Sequence, residues 1–133
     1  MAFVWPVRVY WEDTDAGGVV YYANYLKFME RARSEWLRAH GFEQDVLRGR
    51  DGVVFVVRRV EIDYLAPAHF NDPLEVTVEL AANGRVSLDV HQVVSTGPTR
   101  LASAAVKLAC VDAVRFKPVK IPEPILHALA RAT

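Results

Sequence analysis

The strongest constraint on the fold is an amphipathic pattern between residues 25 and 38. Apolar residues recur there at the three- and four-residue spacing of one helix face, while charged residues take the opposite face. The apolar stripe consists of Tyr25, Phe28, Met29, Ala32, Trp36 and Leu37. Gly41 followed by Phe42 is a typical C-terminal cap, so we expect this helix to end near His40.

An acidic turn, residues 12–18, leads directly into this helix. Gly17 and Gly18 allow the backbone to turn tightly and to approach another group closely. Unpaired N–H groups at a helix start favour negative charge. Asp13 and Asp15 are therefore either turn and cap residues, or they include a reactive carboxylate facing a substrate carbonyl that backbone N–H groups hold. The residue types alone leave both interpretations open.

Length and composition limit the class of protein. We expect one globular domain over residues 1–133. The 16 basic and 16 acidic residues balance, so no global field would recruit nucleic acid. The single Cys110 excludes an internal disulfide, and its apolar strand predicts a buried side chain. The first residues do not resemble a signal peptide, and no window predicts membrane insertion, so we expect a cytoplasmic protein.

Alternating apolar and polar residues predict five strands that follow one another around the helix. The expected strands are 7–11, 53–65, 74–80, 86–94 and 101–112. Asn83-Gly84 and residues 95–98 predict hairpin turns, which makes the sheet antiparallel. A short helix is expected within 42–52, and another after Pro122. The fold class is therefore α+β, with one sheet and one main helix.

Small residues of the last strand suggest an oligomer. We expect Ala102, Ala104 and Val106 to lie on the sheet face opposite the helix, where an isolated protomer would leave apolar surface open.

Other kinds of site fit the residues less well. A calcium loop beginning at Asp13 would have Gly17 at the fifth place, which requires an oxygen side chain, and Asn24 at the twelfth, which requires a bidentate Glu. The histidines and Cys110 lack metal-ligand spacing, and no G-x-S-x-G elbow is present. Glu30 and Glu35 are expected on the polar helix face with Arg31, Arg33 and Arg38 nearby, in helix-surface or interface ion pairs. We therefore expect no metal and no cofactor.

Three segments carry a resemblance to a known family. They are WPVRVYWEDTDAGGVVYYANYLKFMERARSEWL at 5–37, FVVRRVEIDYLAPA at 55–68 and LACVD at 108–112. With them the chain resembles the hotdog-fold thioesterases, in particular the Tol-Pal-associated acyl-CoA thioesterases and 4-hydroxybenzoyl-CoA thioesterase. The resemblance implies a five-stranded antiparallel sheet wrapped around a central helix. It also implies protomers that join their sheets in pairs, a tetramer built as a dimer of dimers, and active sites between protomers.

The resemblance also implies roles for individual residues. Asp15 matches the catalytic aspartate of the family, and Tyr22 matches the residue whose backbone N–H polarises the thioester carbonyl. The Tol-Pal-associated members usually carry His where this chain has Tyr22, whereas 4-hydroxybenzoyl-CoA thioesterase carries Tyr. A backbone role survives this change, because every residue except proline has an N–H group.

Binding and chemistry follow from the same resemblance. We expect Gly18 and Val19 to contact the substrate, an acyl-CoA or alternatively an acyl thioester of acyl carrier protein. Candidate cations for the coenzyme A phosphates are Arg58, Arg59, Arg85, Lys107 and Lys117. Asp15 would either attack the carbonyl or deprotonate a water. The alternatives are a hotdog dehydratase and a non-catalytic scaffold that binds acyl thioesters or associates with the envelope.

Overall fold

The computed structural model describes residues 2–132 and contains one sheet, three α-helices and a short 3₁₀ turn. The strands are β1 (Phe3–Arg8), β2 (Val53–Tyr64), β3 (Pro73–Asn83), β4 (Ser87–Thr96) and β5 (Thr99–Asp112). The α-helices are α1 (Asn24–Ala39), α2 (Gln44–Arg50) and α3 (Glu123–Ala132). The 3₁₀ turn covers Trp11–Asp13. No helix within residues 2–132 is long and apolar enough to cross a membrane.

The five strands form one antiparallel sheet in the order β1-β3-β4-β5-β2. The two predicted hairpins are confirmed: Gly84 N donates to Ser87 O at 2.9 Å, and Gly97-Pro98 separates β4 from β5. β1 and β2 are the outer strands. The register of β2 against β5 shifts between Val57 and Arg59, so Arg58 is the extra residue of a bulge.

The predicted helix is confirmed, and its apolar stripe lies in the core. All six stripe residues are at most 3% exposed. His40 is the C-cap, and Gly41 has φ of +89°, a conformation that glycine adopts without strain. Helix α1 contacts β1, β3 and β4, and so it packs along one face of the sheet. The α+β arrangement is therefore as predicted.

Arg33 and Arg31 do not take part in the predicted ion pairs on the polar helix face. Arg33 is only 9% exposed, and its Nη1 donates to the buried Gln92 Oε1 at 2.8 Å. The expected pairing of Glu35 with Arg38 is confirmed, at 2.5 Å, whereas Glu35 does not pair with Arg31. The charge of Arg33 suggested an ion pair with the glutamates of the polar face, whereas a polar partner on the sheet allows this arginine to be buried.

The first strand lies earlier than predicted. It covers Phe3–Arg8, and the 7–11 prediction was wrong because the chain leaves the sheet before Trp11. The Tyr10 N–H donates to Asp13 Oδ2 at 2.8 Å, which closes the 3₁₀ turn locally. A side-chain acceptor two or three residues ahead thus competes with the sheet for this backbone group.

The small residues of β5 lie on the helix face, which contradicts the prediction. Ala102, Ala104 and Val106 are at most 2% exposed. Ala104 pairs with Gln92, whose Nε2 donates to Met29 O of α1 at 3.1 Å. The opposite face carries mixed charge, including Asp89, His91 and Lys107. An uncovered apolar sheet face therefore does not provide the argument for an oligomer.

Candidate active site

The two aspartates of the acidic turn have different surroundings. Asp13 is 7% exposed, and its carboxylate accepts the Tyr10 N–H. Its carbonyl oxygen accepts hydrogen bonds from the Tyr21 N–H at 2.9 Å and from Asn24 Nδ2 at 2.8 Å. Asp13 thus ties the turn to the first residue of α1, which is a structural role.

Asp15 presents its carboxylate to solvent. Its Oδ1 accepts the Gly17 N–H at 2.8 Å, while Oδ2 has no hydrogen-bond partner between residues 2 and 132. The Asp15 N–H donates to Val19 O at 2.9 Å, so the turn is closed by its own backbone. A Cβ on Gly17 would lie 3.2 Å from Asp15 Oδ1, which explains why glycine suits this position. One carboxylate oxygen therefore stays available for chemistry.

The backbone N–H of Tyr22 is also available. It makes no hydrogen bond to any described residue in 2–132, although the N–H of Tyr21 before it does. Tyr22 lies two residues before Asn24, the first residue of α1, and the N-cap Ala23 provides no side-chain cap. The unpaired N–H therefore adds to the partial positive charge of the helix start.

Gly18 and Val19 connect these two groups. Gly18 has φ of +80°, and its N–H donates to Asp15 O at 3.0 Å. Val19 forms a bridge with His69, and the next residue, Val20, donates to Ala68 O at 2.8 Å. The turn is thereby held against the segment that follows β2.

An aromatic cavity of about 320 Å³ opens beside Tyr22. Its lining comprises Val20, Tyr22, Tyr25, Tyr64, Leu65, Ala66 and Pro67. Tyr22 and Tyr64 make an edge-to-face contact with ring centroids 5.9 Å apart. Asp15 does not line this cavity, so one protomer brings Tyr22 but not Asp15 to its wall.

The tyrosines around this cavity influence one another. Hydrogen bonding to the Tyr22 side chain raises the pKa of Tyr21, and the negative charge of Asp15 acts in the same direction. Burial raises the pKa of Tyr25, whose Oη accepts the Ala68 N–H at 3.0 Å. Burial also raises the pKa of Tyr64. Tyr25 and Tyr64 therefore line the cavity as neutral groups.

Tyr25 and Tyr64 were not predicted as site residues. The sequence pattern placed Tyr25 in the helix core and Tyr64 on a strand face, and both assignments are compatible with a wall of a cavity. Their convergence depends on the packing of α1 against the end of β2, for which no sequence motif exists.

The predicted cations are dispersed. Arg58 lies exposed at the bulge of β2, and Arg59 is paired with Glu61. Arg85 follows the hairpin at the far end of β3, whose 11 residues span roughly 33 Å. The chain that leads into the acidic turn meets the near end, where Val9 N donates to Asp72 O. Arg85 and Asp15 of one protomer therefore cannot hold the same small ligand.

Comparison with known proteins identifies the family. The model of the thioesterase-like superfamily matches residues 9–129, which include the acidic turn, α1 and all of β2 to β5. The chain belongs to the thioesterase-like superfamily. The predicted family resemblance is thus confirmed.

Several relatives within this superfamily cover nearly the whole chain. The acyl-CoA thioester hydrolase YbgC of Escherichia coli strain CFT073 is 47% identical over 93% of this chain and 92% of its own. The acyl-CoA thioesterase YbgC of Haemophilus influenzae is 44% identical over 95% and 93%. A crystal structure of a probable thioesterase from Bartonella henselae has a TM-score of 0.88 and 35% identity, over 92% of this chain and 100% of that one. The hotdog fold is therefore confirmed for this thioesterase-like protein.

Proposed function

We propose that this protein hydrolyses acyl-CoA thioesters to a free acid and coenzyme A. The observation that carries the proposal is one turn, closed by the Asp15–Val19 backbone bond, that exposes an unpaired carboxylate oxygen and leads to the unpaired Tyr22 N–H. A nucleophile or base and an oxyanion donor are the two groups that acyl transfer requires. The names of the YbgC relatives support the same reaction.

Two routes use these groups. In the first, Asp15 attacks the carbonyl carbon, the C–S bond breaks, and the thiolate leaves and is protonated; water then cleaves the mixed anhydride. In the second, Asp15 accepts a proton from water, which attacks the carbon, and the proton ends on the departing thiolate. In both routes the Tyr22 N–H stabilises the oxyanion, by roughly 3 kcal/mol in comparable sites.

The substrate would extend from this turn along the aromatic cavity. Gly18 and Val19 offer backbone close to the reacting carbonyl, since their turn is held against Ala68 and His69. The cavity walls of Tyr22, Tyr25 and Tyr64 suit an apolar or aromatic acyl group better than a charged one. Acyl carrier protein is the alternative thioester donor.

A second protomer would complete the site. Strand β2 is an outer strand of 12 residues that ends at Tyr64, beside the cavity. Antiparallel pairing of two β2 strands would place the start of one beside the end of the other. Arg85 lies near the start of β2. Its neighbour Val86 accepts a hydrogen bond from the Cys110 N–H, and Cys110 pairs with Phe55 of β2. The partner's copy of this arginine, with Arg58 and Arg59 nearer the middle, would then face the coenzyme A phosphates.

The remaining assignments follow from this picture. We assign residues 1–133 to one hotdog domain in a cytoplasmic protein, with two sheet-joined dimers forming the tetramer.

The decisive experiment compares thiol release by the wild type and by Asp15→Asn. Short-chain, long-chain and aromatic acyl-CoA should be offered, because the acyl preference depends on packing across the proposed interface. We expect turnover of at least one class by the wild type and a large loss in the variant. Equal activity of the two proteins, or no wild-type turnover of any class, would refute the proposed function.

A further inference from the structure

Backbone pairing places His69 in register with Asp15 of the acidic turn. Thr14 forms an antiparallel bridge with Val20. Asp15 therefore lies opposite Val19, to whose carbonyl oxygen its N–H donates at 2.9 Å. Val19 forms a second antiparallel bridge, with His69. Asp15, Val19 and His69 thus form one row across three short backbone segments.

The side chains of this row lie on one face. Residues directly opposite each other on antiparallel segments point their side chains to the same side. Asp15 and His69 are exposed, with Val19 partly buried between them. The next residues, Val20 and Ala68, point to the other side and are at most 4% exposed. Paired segments lie roughly 4.8 Å apart, so the two ends of the row are separated by roughly 10 Å, enough for a small reacting group between them.

The imidazole of His69 has one ring nitrogen beside Asp72 and one that is free. The His69 N–H donates to Asp72 Oδ2 at 2.9 Å, and the same oxygen lies 3.8 Å from Nδ1. Nε2 has no hydrogen-bond partner among residues 2–132, and the side chain is 60% exposed. Histidine is the side chain that exchanges protons near neutral pH. Nε2 is therefore free to carry and donate a proton on the face that presents the Asp15 carboxylate.

The aromatic cavity opens beside this row. Val20 and Pro67 line the cavity and lie within two residues of the row in the chain. When the acyl group occupies the cavity and its carbonyl oxygen meets the Tyr22 N–H, the thioester sulfur lies at the cavity mouth. The leaving group there is a basic thiolate, which needs a proton that an ionised carboxylate does not carry.

We propose that His69 is the general acid that protonates the departing coenzyme A thiolate, an inference that rests on the proposed hydrolysis. As the C–S bond breaks, its electron pair goes to sulfur, and the proton on His69 Nε2 passes to the same atom. In the first route the imidazole regains a proton from the water that cleaves the mixed anhydride. In the second route it regains the proton that Asp15 has taken from the attacking water. The products in both routes are the free acid and the coenzyme A thiol.

The test varies how much the leaving group needs a proton. The wild type and His69→Gln are assayed with the coenzyme A thioester and the S-4-nitrophenyl thioester of one acyl group, the one that the wild type hydrolyses fastest among butanoyl-, palmitoyl- and benzoyl-CoA. A nitrophenyl thiolate is weakly basic and leaves without protonation. We expect kcat/KM of His69→Gln to fall at least about tenfold with the coenzyme A thioester and less than about threefold with the nitrophenyl thioester.

A merely structural role of His69 would lower both rates alike. Equal losses with the two leaving groups, or no loss with either, would therefore overturn the proposal. The melting temperature should not change, because the substitution alters an exposed side chain and keeps the backbone N–H that bonds Asp72. His91→Gln, at an exposed histidine of β4, is the matched control and should retain both rates.

The same assay separates a failure of this role from a failure of the proposed hydrolysis. Asp15→Asn should lose activity toward both thioesters, because the carboxylate is needed whichever group leaves. Full activity of Asp15→Asn would refute the proposed hydrolysis, whereas a fully active His69→Gln beside an inactive Asp15→Asn would overturn the role of His69 alone. No wild-type turnover of any of the three acyl-CoA substrates would refute both.

Discussion

At the residue scale, Asp13 and Asp15 illustrate what a motif can and cannot reveal. The residue types of the acidic turn left a cap role and a reactive role open, and the family resemblance selected Asp15 as the reacting group. The structural role of Asp13 depends on the Tyr10 N–H and on Asn24, whose positions a spacing does not specify. Tyr64 was not predicted as a site residue for a similar reason, because it is distant from Tyr22 in the sequence and contacts it only in the folded protein.

Asp13→Ala should destabilise the protein. The change removes the acceptor of the Tyr10 N–H from a buried position, which typically costs about 1–3 kcal/mol. Asp15→Ala, at an exposed position, should change the free energy of unfolding by less than about 0.5 kcal/mol. Urea denaturation measures both values, and equal losses would show that the two carboxylates do not have separate roles.

Cys110 should make stability depend on alkaline pH. Burial raises the pKa of its thiol from 9.0 to about 11. Between these values the unfolded chain releases a proton that the folded protein retains, so the free energy of unfolding falls as pH rises from 9 to about 11. Urea titrations across this range should show a shallower decline for Cys110→Ala. An equally steep decline in both proteins would disprove this contribution.

At the element scale, α1 was predictable because its apolar residues repeat at the helical period over four turns. The bounds of β1 were not predictable, because the 3₁₀ turn after this strand is fixed by a single side chain, that of Asp13. Arg33 was expected to pair with the glutamates of the polar face, and only the buried amide on β4 explains its actual position. The prediction for β5 placed its small residues on the wrong face of the sheet, because alanines can pack against either a helix or a second sheet.

Gln92→Met should be strongly destabilising. It leaves the Arg33 charge and the carbonyls of Met29 and Thr77 without their buried partner, a loss of about 3–5 kcal/mol. The double variant Gln92→Met with Arg33→Met removes the buried charge as well. We expect it to be more stable than the sum of the two single losses by at least about 1 kcal/mol in urea denaturation. Strict additivity would contradict the coupling of these side chains.

At the scale of the whole molecule, the distribution of site residues favours more than one protomer. Asp15 does not line the aromatic cavity, and Arg85 lies at the far end of the sheet from it. The outer strand β2 ends beside the cavity and offers a free edge. The resemblance predicted an assembly, whereas the sheet face expected to mediate it proved to be polar.

Val57→Lys should dissociate the proposed dimer. Val57 is 48% exposed on β2, and charged lysines at the joined edge would oppose pairing. We expect sedimentation to show monomers and kcat/KM to fall at least about tenfold, because each site loses its partner. Val4→Lys, at a 45% exposed position on the other outer strand β1, is the matched control and should leave both measurements unchanged. If only Val4→Lys caused dissociation, the interface would lie on β1, which would contradict pairing through β2.

The rate of acyl-CoA hydrolysis at saturating substrate decides whether Asp15 performs the chemistry. Asp15→Asn should lower kcat at least about a hundredfold with an unchanged melting temperature, because the amide neither attacks the carbonyl nor accepts a proton. Asp63→Asn, at another exposed aspartate, on β2, should retain the wild-type kcat. A kcat for Asp15→Asn within about twofold of the wild type would contradict a catalytic role for this carboxylate.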